Sequence, residues 1–466
     1  AGIHVAGFEK DGYSVTVDRT FIAAAREYLP GFTVATAGKI ELSIPGKTVE
    51  LGPIHMKAPI RYQSEGTATV YGTTDLPRAS PQSMVRPTLM GAAVRDIMGL
   101  DSECVAPDLK TPRPKAIALK ELLDPVDVNT GVVDTCADAL FERYKAGLSA
   151  EQLRTLKPYD MFTAINGHAG VAYVDAIKFS TSAGFPRNCP KSEFTSPDEP
   201  RESAPAPRKF DDSIMVEVEA LRQCYASGER GNIVFRANLK DEAVSLKKKK
   251  MGKTRVFAGA PIAYTLLARQ YFLSFVRLAQ NNPRLFESAV GINATSSEWG
   301  KLRKHLTKFG LARMIAGDFK AYDKRIPANL LLAAFNVWIR LARLNSTITG
   351  FHSDGEPCYS YEDITVMIGI ATDTAFPLMD FFGEIIQFNG SNPSGHPLTV
   401  TKNGTCNSLY MRIVWFYAKP PEYTMADFDK FVTLMTYGDD NVLNVDAKID
   451  FFNHTTIVEK LSQIGV

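Results

Sequence analysis

At 466 residues the chain is long enough for two or three ordinary domains, or for one large multi-part enzyme with a substantial core. A formal net charge of +2 excludes nucleic-acid binding driven by the charge of the whole molecule; any such affinity must come from local basic patches. The composition lies in the ordinary globular range. Six cysteines (Cys104, Cys136, Cys189, Cys224, Cys358, Cys406) are scattered without metal-finger spacing, which favours a reducing compartment. No apolar run is long enough to span a bilayer. Ala1–Phe8 lacks the basic and apolar regions of a signal peptide, and it lacks an initiator Met, as expected of a processed fragment.

Residues 1 to about 60 alternate short β-like runs with turns, such as Tyr13–Val17 and Ile40–Ile44 followed by Pro45-Gly46. Pro77, Pro81 and Pro87, with Arg78 and Arg86, predict extended coil. Helical patterns dominate from about 115 to 180. Ser196 to Pro207 has the composition of a flexible loop, and a helix is expected over 211–227. Ile233–Lys240 and Thr254–Ala258 predict two strands around a loop holding Lys247–Lys250 and Lys253, with Arg255 just beyond. A run of lysines usually forms a solvated face, but between two apolar strands it makes a basic finger suited to phosphates.

Leu311–Gly317 predicts a strand ending at Asp318, with Asp323 five residues on and a helix opening at Ile326-Pro327. Carboxylates just past a strand end sit where α/β sheets gather ligands. A Gly/Pro/Asn-rich loop over 389–397 leads into an amphipathic helix expected over 398–418. Thr399, Asn403 and Asn407, four residues apart, share one face of it as a hydrogen-bonding rail. His396 is expected to serve local structure rather than a metal. Phe431–Thr436 and Val442–Val445 flank Tyr437-Gly438-Asp439-Asp440 as a β-hairpin with two carboxylates at its tip. Taken alone, a solvated turn and a cation-binding turn are both open.

If the hairpin lies beside the Asp318 strand, the carboxylates converge. Hard oxygen donors without His or Cys suit Mg²⁺ or Mn²⁺. Two such ions, roughly 3.5–4 Å apart, can clamp an in-line phosphoryl displacement. With a basic finger for a triphosphate and an amide rail for a sugar, the parts describe nucleotidyl transfer from a nucleoside triphosphate.

These motifs resemble the RNA-dependent RNA polymerases of picorna-like positive-strand RNA viruses, with phrases closest to dicistrovirus-like and marine picorna-like members. Asp318 and Asp323 match D-x4-D; Ser394, Gly395, Thr399, Asn403 and Asn407 match S-G-x3-T-x3-N-x3-N; Tyr437–Asp440 match Y-G-D-D. Lys240-Asp241-Glu242 with Lys253-Thr254-Arg255 match the fingers motif, and Thr181–Pro186 the template-channel motif. The resemblance implies an α+β right-hand polymerase with fingers and palm, a short β-rich N-terminal segment and no thumb in this chain. It implies catalytic and metal-binding roles for Asp318, Asp439 and Asp440, with Mg²⁺ or Mn²⁺ as cofactor. Lys240, Lys248, Lys253, Arg255, Asp323, Ser394, Gly395, Thr399 and Asn403 would bind the nucleotide, with Asp323 and Asn403 reading the ribose 2′-OH. Thr181, Ser182, Gly184 and Pro186 would guide the template.

Gly2–Gly7 resembles the substrate-pocket segment of the chymotrypsin-like cysteine protease encoded upstream in such polyproteins. The resulting division is 1–63 as protease tail and linker, 64–310 as N-terminal region and fingers, and 311–466 as palm. Gln63-Ser64 is chemically suited to the junction. The implied partners are RNA template and primer, ribonucleoside triphosphates, a small protein primer and the neighbouring protease, at replication complexes in the host cytoplasm. A reverse transcriptase, or a non-catalytic RNA- or partner-binding fragment, are the alternatives.

Overall fold

The computed structural model describes residues 5–8, 12–17, 40–52, 68–74, 76, 82–100, 104–124, 126–349 and 355–466. The residues Gly2–His4, the Gln63-Ser64 pair and the Pro77–Pro81 stretch lie outside them. The described strands are β1 (Val5–Phe8), β2 (Gly12–Val17), β3 (Ile40–Ile44), β4 (Lys47–Leu51), β5 (Ala68–Thr73), β6 (Cys104–Val105), β7 (Thr195–Pro197), β8 (Arg208–Phe210), β9 (Val234–Leu239), β10 (Val244–Ser245), β11 (Val256–Gly259), β12 (Met314–Gly317), β13 (Leu378–Phe381), β14 (Glu384–Phe388), β15 (Val432–Tyr437) and β16 (Asp440–Val445). Nine helices carry the argument: α1 (Thr130–Gly147), α2 (Asp212–Ala226), α3 (Leu246–Lys250), α4 (Ile262–Asn281), α5 (Ser297–Leu306), α6 (Tyr322–Arg325), α7 (Ala328–Leu344), α8 (Tyr361–Ala375) and α9 (Thr399–Ala418).

Helix starts follow local chemistry. Asn129 and Asp211 cap α1 and α2 by accepting from Val132 N and Ile214 N. Ser360 and Asp363 form a capping box at α8. Pro327 takes the position just before α7, where its missing N–H is no loss.

A seven-stranded sheet runs β1-β2-β5-β14-β13-β9-β11, antiparallel except where β13 meets β9. A second sheet has the order β12-β16-β15. The long helices share one apolar core. Its centre is aromatic: Phe275 stacks on Trp338 at 4.4 Å between ring centroids, and Phe272 and Phe335 pack at their edges. Trp338 Nε1 donates to Thr405 Oγ1 (3.1 Å), tying α7 to α9 through the one polar atom of the cluster.

Three expectations need correction. The helix over 399–418 is not amphipathic: Thr401–Trp415 are all buried, because α9 packs against α1, α7 and β15. The Lys247–Lys250 run is not an extended loop but the short helix α3, started by Ser245, whose Oγ accepts from Lys248 N (3.3 Å). The 196–207 stretch is a hairpin loop closed by β7 against β8 and by an Arg201–Ala204 bridge. Among the described residues no helix is long and apolar enough to cross a membrane.

Candidate active site

The β15–β16 hairpin turns at Gly438-Asp439, with Tyr437 opposite Asp440. Gly438 has φ +67, the left-handed value that a tight hairpin turn requires at its first central residue and that glycine adopts without strain. On the other side β16 pairs with β12 in the register Met314↔Asn444 to Gly317↔Asn441. One step further along both strands, Asp318 comes beside Asp440. Strand register thus brings Asp318 beside Asp440, next to the turn that carries Asp439.

The electrostatics agree. The Asp439 carboxyl lies above the usual carboxylate range, first through burial and then through the charges of Asp440 and Asp318; its own N–H and Arg255 oppose the rise. The carboxylates of Asp318 and Asp440 make no ion pair or hydrogen bond among the described residues. The turn is fixed from beneath by Asn407, whose Nδ2 lies 3.2, 2.8 and 3.3 Å from the carbonyl oxygens of Gly438, Asp439 and Asp440.

Asp323 stands at the start of α6 and accepts a hydrogen bond from Asn403 Nδ2 on α9. It does not pair with its neighbours: Lys324 is taken by Glu121, and Arg325 by Asp124 and the Gly465 carbonyl. Asn403 Oδ1 accepts from Asn392 Nδ2 (2.7 Å), and Asn392 Oδ1 lies 3.0 Å from His396 Nε2. Since His396 Nδ1 accepts from Leu398 N (3.2 Å), Nε2 carries the proton and donates. Burial, then the charge of Lys402, drive His396 well below its ordinary range, so the imidazole is neutral. His396 is thus the base of a relay through Asn392 and Asn403 to Asp323, a structural role as expected. Asn392 was not legible as part of it, because an Asn in a Gly/Pro loop looks like any turn residue.

The rail divides its work. Asn403 serves Asp323, and Asn407 serves the hairpin turn. Thr399 donates to the His396 carbonyl (2.9 Å) and so closes its own loop. Gly395 donates to Ala258 O (2.8 Å), and a Cβ there would lie 2.6 Å from that oxygen, so only glycine lets this loop dock on β11. Ser394 is half-buried, and its hydroxyl makes no hydrogen bond among the described residues. Lys402, fully buried beside Asn403, has no hydrogen-bond partner for Nζ, which lies 4.0 Å from the Phe335 ring centre. Burial pushes its ammonium down to about 7.

On the finger, Lys240 pairs with Glu242 (2.9 Å), and Arg255 reaches the same carboxylate at 3.6 Å. Asp241 accepts from Ser83 Oγ and Met84 N, each at 2.6 Å. Arg255 is exposed and lies close enough to Asp323 and Asp439 to lower both carboxyls. Lys248 and Lys253 are exposed at the helix α3 and its exit, joined through Lys253 N and Lys248 O (2.9 Å); nothing connects their side chains to the carboxylates.

The 181–186 segment is held by a residue outside the sequence motif. Lys191 is 7 % exposed, and its Nζ donates to Thr181 Oγ1 (2.6 Å) and Ser182 O (2.7 Å). Burial brings its ammonium down to about 8. Ser182 Oγ accepts from Gly184 N (3.1 Å), and Gly184, at φ +79, lies against the Ala260-Pro261 backbone. Pro186 follows Phe185 through a cis peptide.

A buried hydrogen-bonded relay ending at Asp323 thus stands near a hairpin whose turn carries two carboxylates. A family model described as viral RNA-dependent RNA polymerase matches residues 129–466, and the chain belongs to that family. It is 30% identical over 423 residues to the replicase polyprotein of Drosophila C virus, covering 85% of this chain and 22% of that protein. It is 29% identical over 358 residues to the replicase polyprotein of cricket paralysis virus, covering 74% of this chain and 19% of that protein. The chain therefore spans about a fifth of the length of these relatives. The Sicinivirus 3Dpol RNA dependent RNA polymerase shares the fold, with a TM-score of 0.62 and 15% identity over 83% of this chain and 73% of that one.

Proposed function

We propose that the chain carries out RNA-templated RNA synthesis from ribonucleoside triphosphates. The observation that carries this is the strand register that brings Asp318 beside Asp440, with Asp439 at the turn and the Asp323–Asn403 pair alongside. Asp318 and Asp439, supported by Asp440, would hold Mg²⁺ or Mn²⁺; the fit rests on hard oxygen donors that repel one another, with no ion pair or hydrogen bond on the Asp318 and Asp440 carboxylates among the described residues. Among the described residues no three His, Cys, Asp or Glu side chains already form a metal-holding group, so the metal reading is carried by the donor chemistry. Such an ion, when bound, supplies charge neutralisation for phosphoryl transfer.

Arg255, with Lys240, Lys253 and Lys248, would meet the triphosphate; a guanidinium is suited to a two-pronged hold on phosphate oxygens. Asp323 and Asn403 would read the ribose 2′-OH, with Ser394, Gly395 and Thr399 shaping the loop beside them. A site offering a carboxylate and an amide to that hydroxyl favours ribonucleotides, which weighs against a reverse transcriptase. Thr181, Ser182, Gly184 and Pro186 would line the template path. RNA template and primer, a small protein primer and a protease neighbour, in replication complexes in the host cytoplasm, complete the reading.

Asp439→Asn keeps size and removes charge. It is expected to abolish nucleotide incorporation on a primed RNA template while leaving the far-UV circular dichroism unchanged. Undiminished incorporation in Mg²⁺ sinks the assignment.

A further inference from the structure

The hairpin bearing Asp439 and Asp440 is gripped just below its turn by residues 287–289, which no motif marks. Thr436 N and Thr436 Oγ1 both donate to the Glu287 carbonyl oxygen at 2.8 Å, and Ala289 N donates back to Thr436 O at 2.8 Å. Thr436 lies three residues before Asp439. Glu287 takes a left-handed backbone, φ +54, which a non-glycine residue keeps only where its surroundings hold it.

What holds it is its side chain. Both Glu287 oxygens face Arg412, at 2.8 and 3.0 Å. Glu287 is 2 % and Arg412 1 % exposed. Arg412 also reaches Asp429 at 2.9 Å, and Arg143 on α1 reaches Asp429 at 2.7 Å and Glu287 at 3.7 Å. Two guanidiniums and two carboxylates thus close a neutral, largely buried network. Burial pushes Glu287 up, but Arg412 and Arg143 more than offset it and hold the carboxyl below its ordinary range. A buried ion pair is a poor device for stability, which apolar packing supplies as well; a forked Arg–carboxylate pair fixes direction.

Arg412 stands on α9, the helix whose Asn407 holds the hairpin turn. Three residues before Asn407 on the same helix, Gly404 lets the helix close on the strand, since a Cβ there would lie 2.7 Å from Thr436 Oγ1. One helix therefore meets the tip half of the hairpin twice: at the turn directly, and one residue pair below it through Arg412, Glu287 and the 287–289 strap.

We propose that Glu287 is a positioning residue for nucleotidyl transfer, its ion-paired carboxylate setting the strap that sets Thr436 and hence the stance of Asp439 relative to Asp318. This rests on reading Asp318 and Asp439 as the metal pair. The test is Mn²⁺ affinity, followed by electron paramagnetic resonance on the full chain, with kcat and KM for nucleotide measured alongside. Glu287→Gln removes the charge and keeps the shape. Thr436→Val removes only the hydroxyl bond to Glu287 O and leaves the charges intact, so it decides the matter if Glu287→Gln does not fold. Both are expected to weaken Mn²⁺ binding by at least about fivefold, the scale of one hydrogen bond, and to lower kcat with KM unchanged. Asp439→Asn is the control and is expected to lose Mn²⁺ binding. If it does, while Glu287→Gln and Thr436→Val match the native chain in Mn²⁺ affinity and kcat, the positioning role is overturned and the polymerase reading stands. If Asp439→Asn binds Mn²⁺ undiminished, the metal pair itself is wrong and the positioning role falls with it.

Discussion

The proposed reading of the sugar turns on Asp323. It is tied to Asn403 and turned away from the cations next to it in sequence, so its second oxygen is available to a ligand. Asp323→Ala leaves the Asn403 Nδ2 donor without its acceptor, a loss of roughly 1–3 kcal/mol for that unpaired polar group. The expected outcome is a ribonucleotide over deoxyribonucleotide preference lower by about 10- to 100-fold, with RNA affinity little changed; a competition assay with matched nucleotides reads it, and an unchanged preference would return the reverse-transcriptase reading. Proton linkage gives a second check. Burial, then the neighbouring charge of Asp439, raises Asp323, and burial with Asp440 and Asp318 raises Asp439. A carboxyl raised on folding adds stability that is fully present below its unfolded value of about 3.8 and lost as pH rises through the folded value. Ionising either group as pH rises therefore costs the fold, and a bound divalent ion relieves that cost. Mn²⁺ should raise Tm more at pH 7 than at pH 5, and Asp439→Asn should flatten that difference; equal shifts at both pH values would contradict the linkage.

At the scale of elements, the strand–Asp–helix unit and the carboxylate hairpin were legible because each declares itself within a dozen residues. Apolar runs gave β12, β15 and β16, Pro327 gave the start of α7, and spacing gave the shared face of Asn403 and Asn407. Which partner each rail residue serves was not legible, since four-residue spacing fixes a face and says nothing of what packs against it. The amphipathic expectation for α9 failed for the same reason: polar residues buried against polar partners look solvated in sequence. Helix α3 was hidden because its cap, Ser245, stands outside the lysine run whose charge dominates the pattern. Its four lysines are all exposed. Replacing Lys247–Lys250 by Gln should weaken single-stranded RNA binding and flatten the slope of log affinity against log salt by about 0.7 for each lysine that meets a phosphate. A parallel shift at unchanged slope would make the helix a structural element rather than a phosphate contact.

At the scale of the whole molecule, pattern reading stopped at the sheet order, because pairing between remote strands leaves no local mark. β5 sits beside β14, and Tyr71 OH donates to Gln387 Oε1 (3.0 Å) across 316 residues of chain. β9 likewise borrows β13 as its parallel neighbour. A chain that emerges from its N-terminus at about 5–20 residues per second holds β5 in readiness for roughly 15–60 s before β14 exists. Through that interval the flanks of β5 and β9 that await β14 and β13 offer bare backbone amides and carbonyls, the surface on which strands of separate molecules pair. The seven-stranded sheet thus waits for the β13–β14 hairpin, which separates the strand–Asp–helix unit from α9, and contacts so remote favour slow assembly. Any nascent chain released before residue 388 keeps those flanks open.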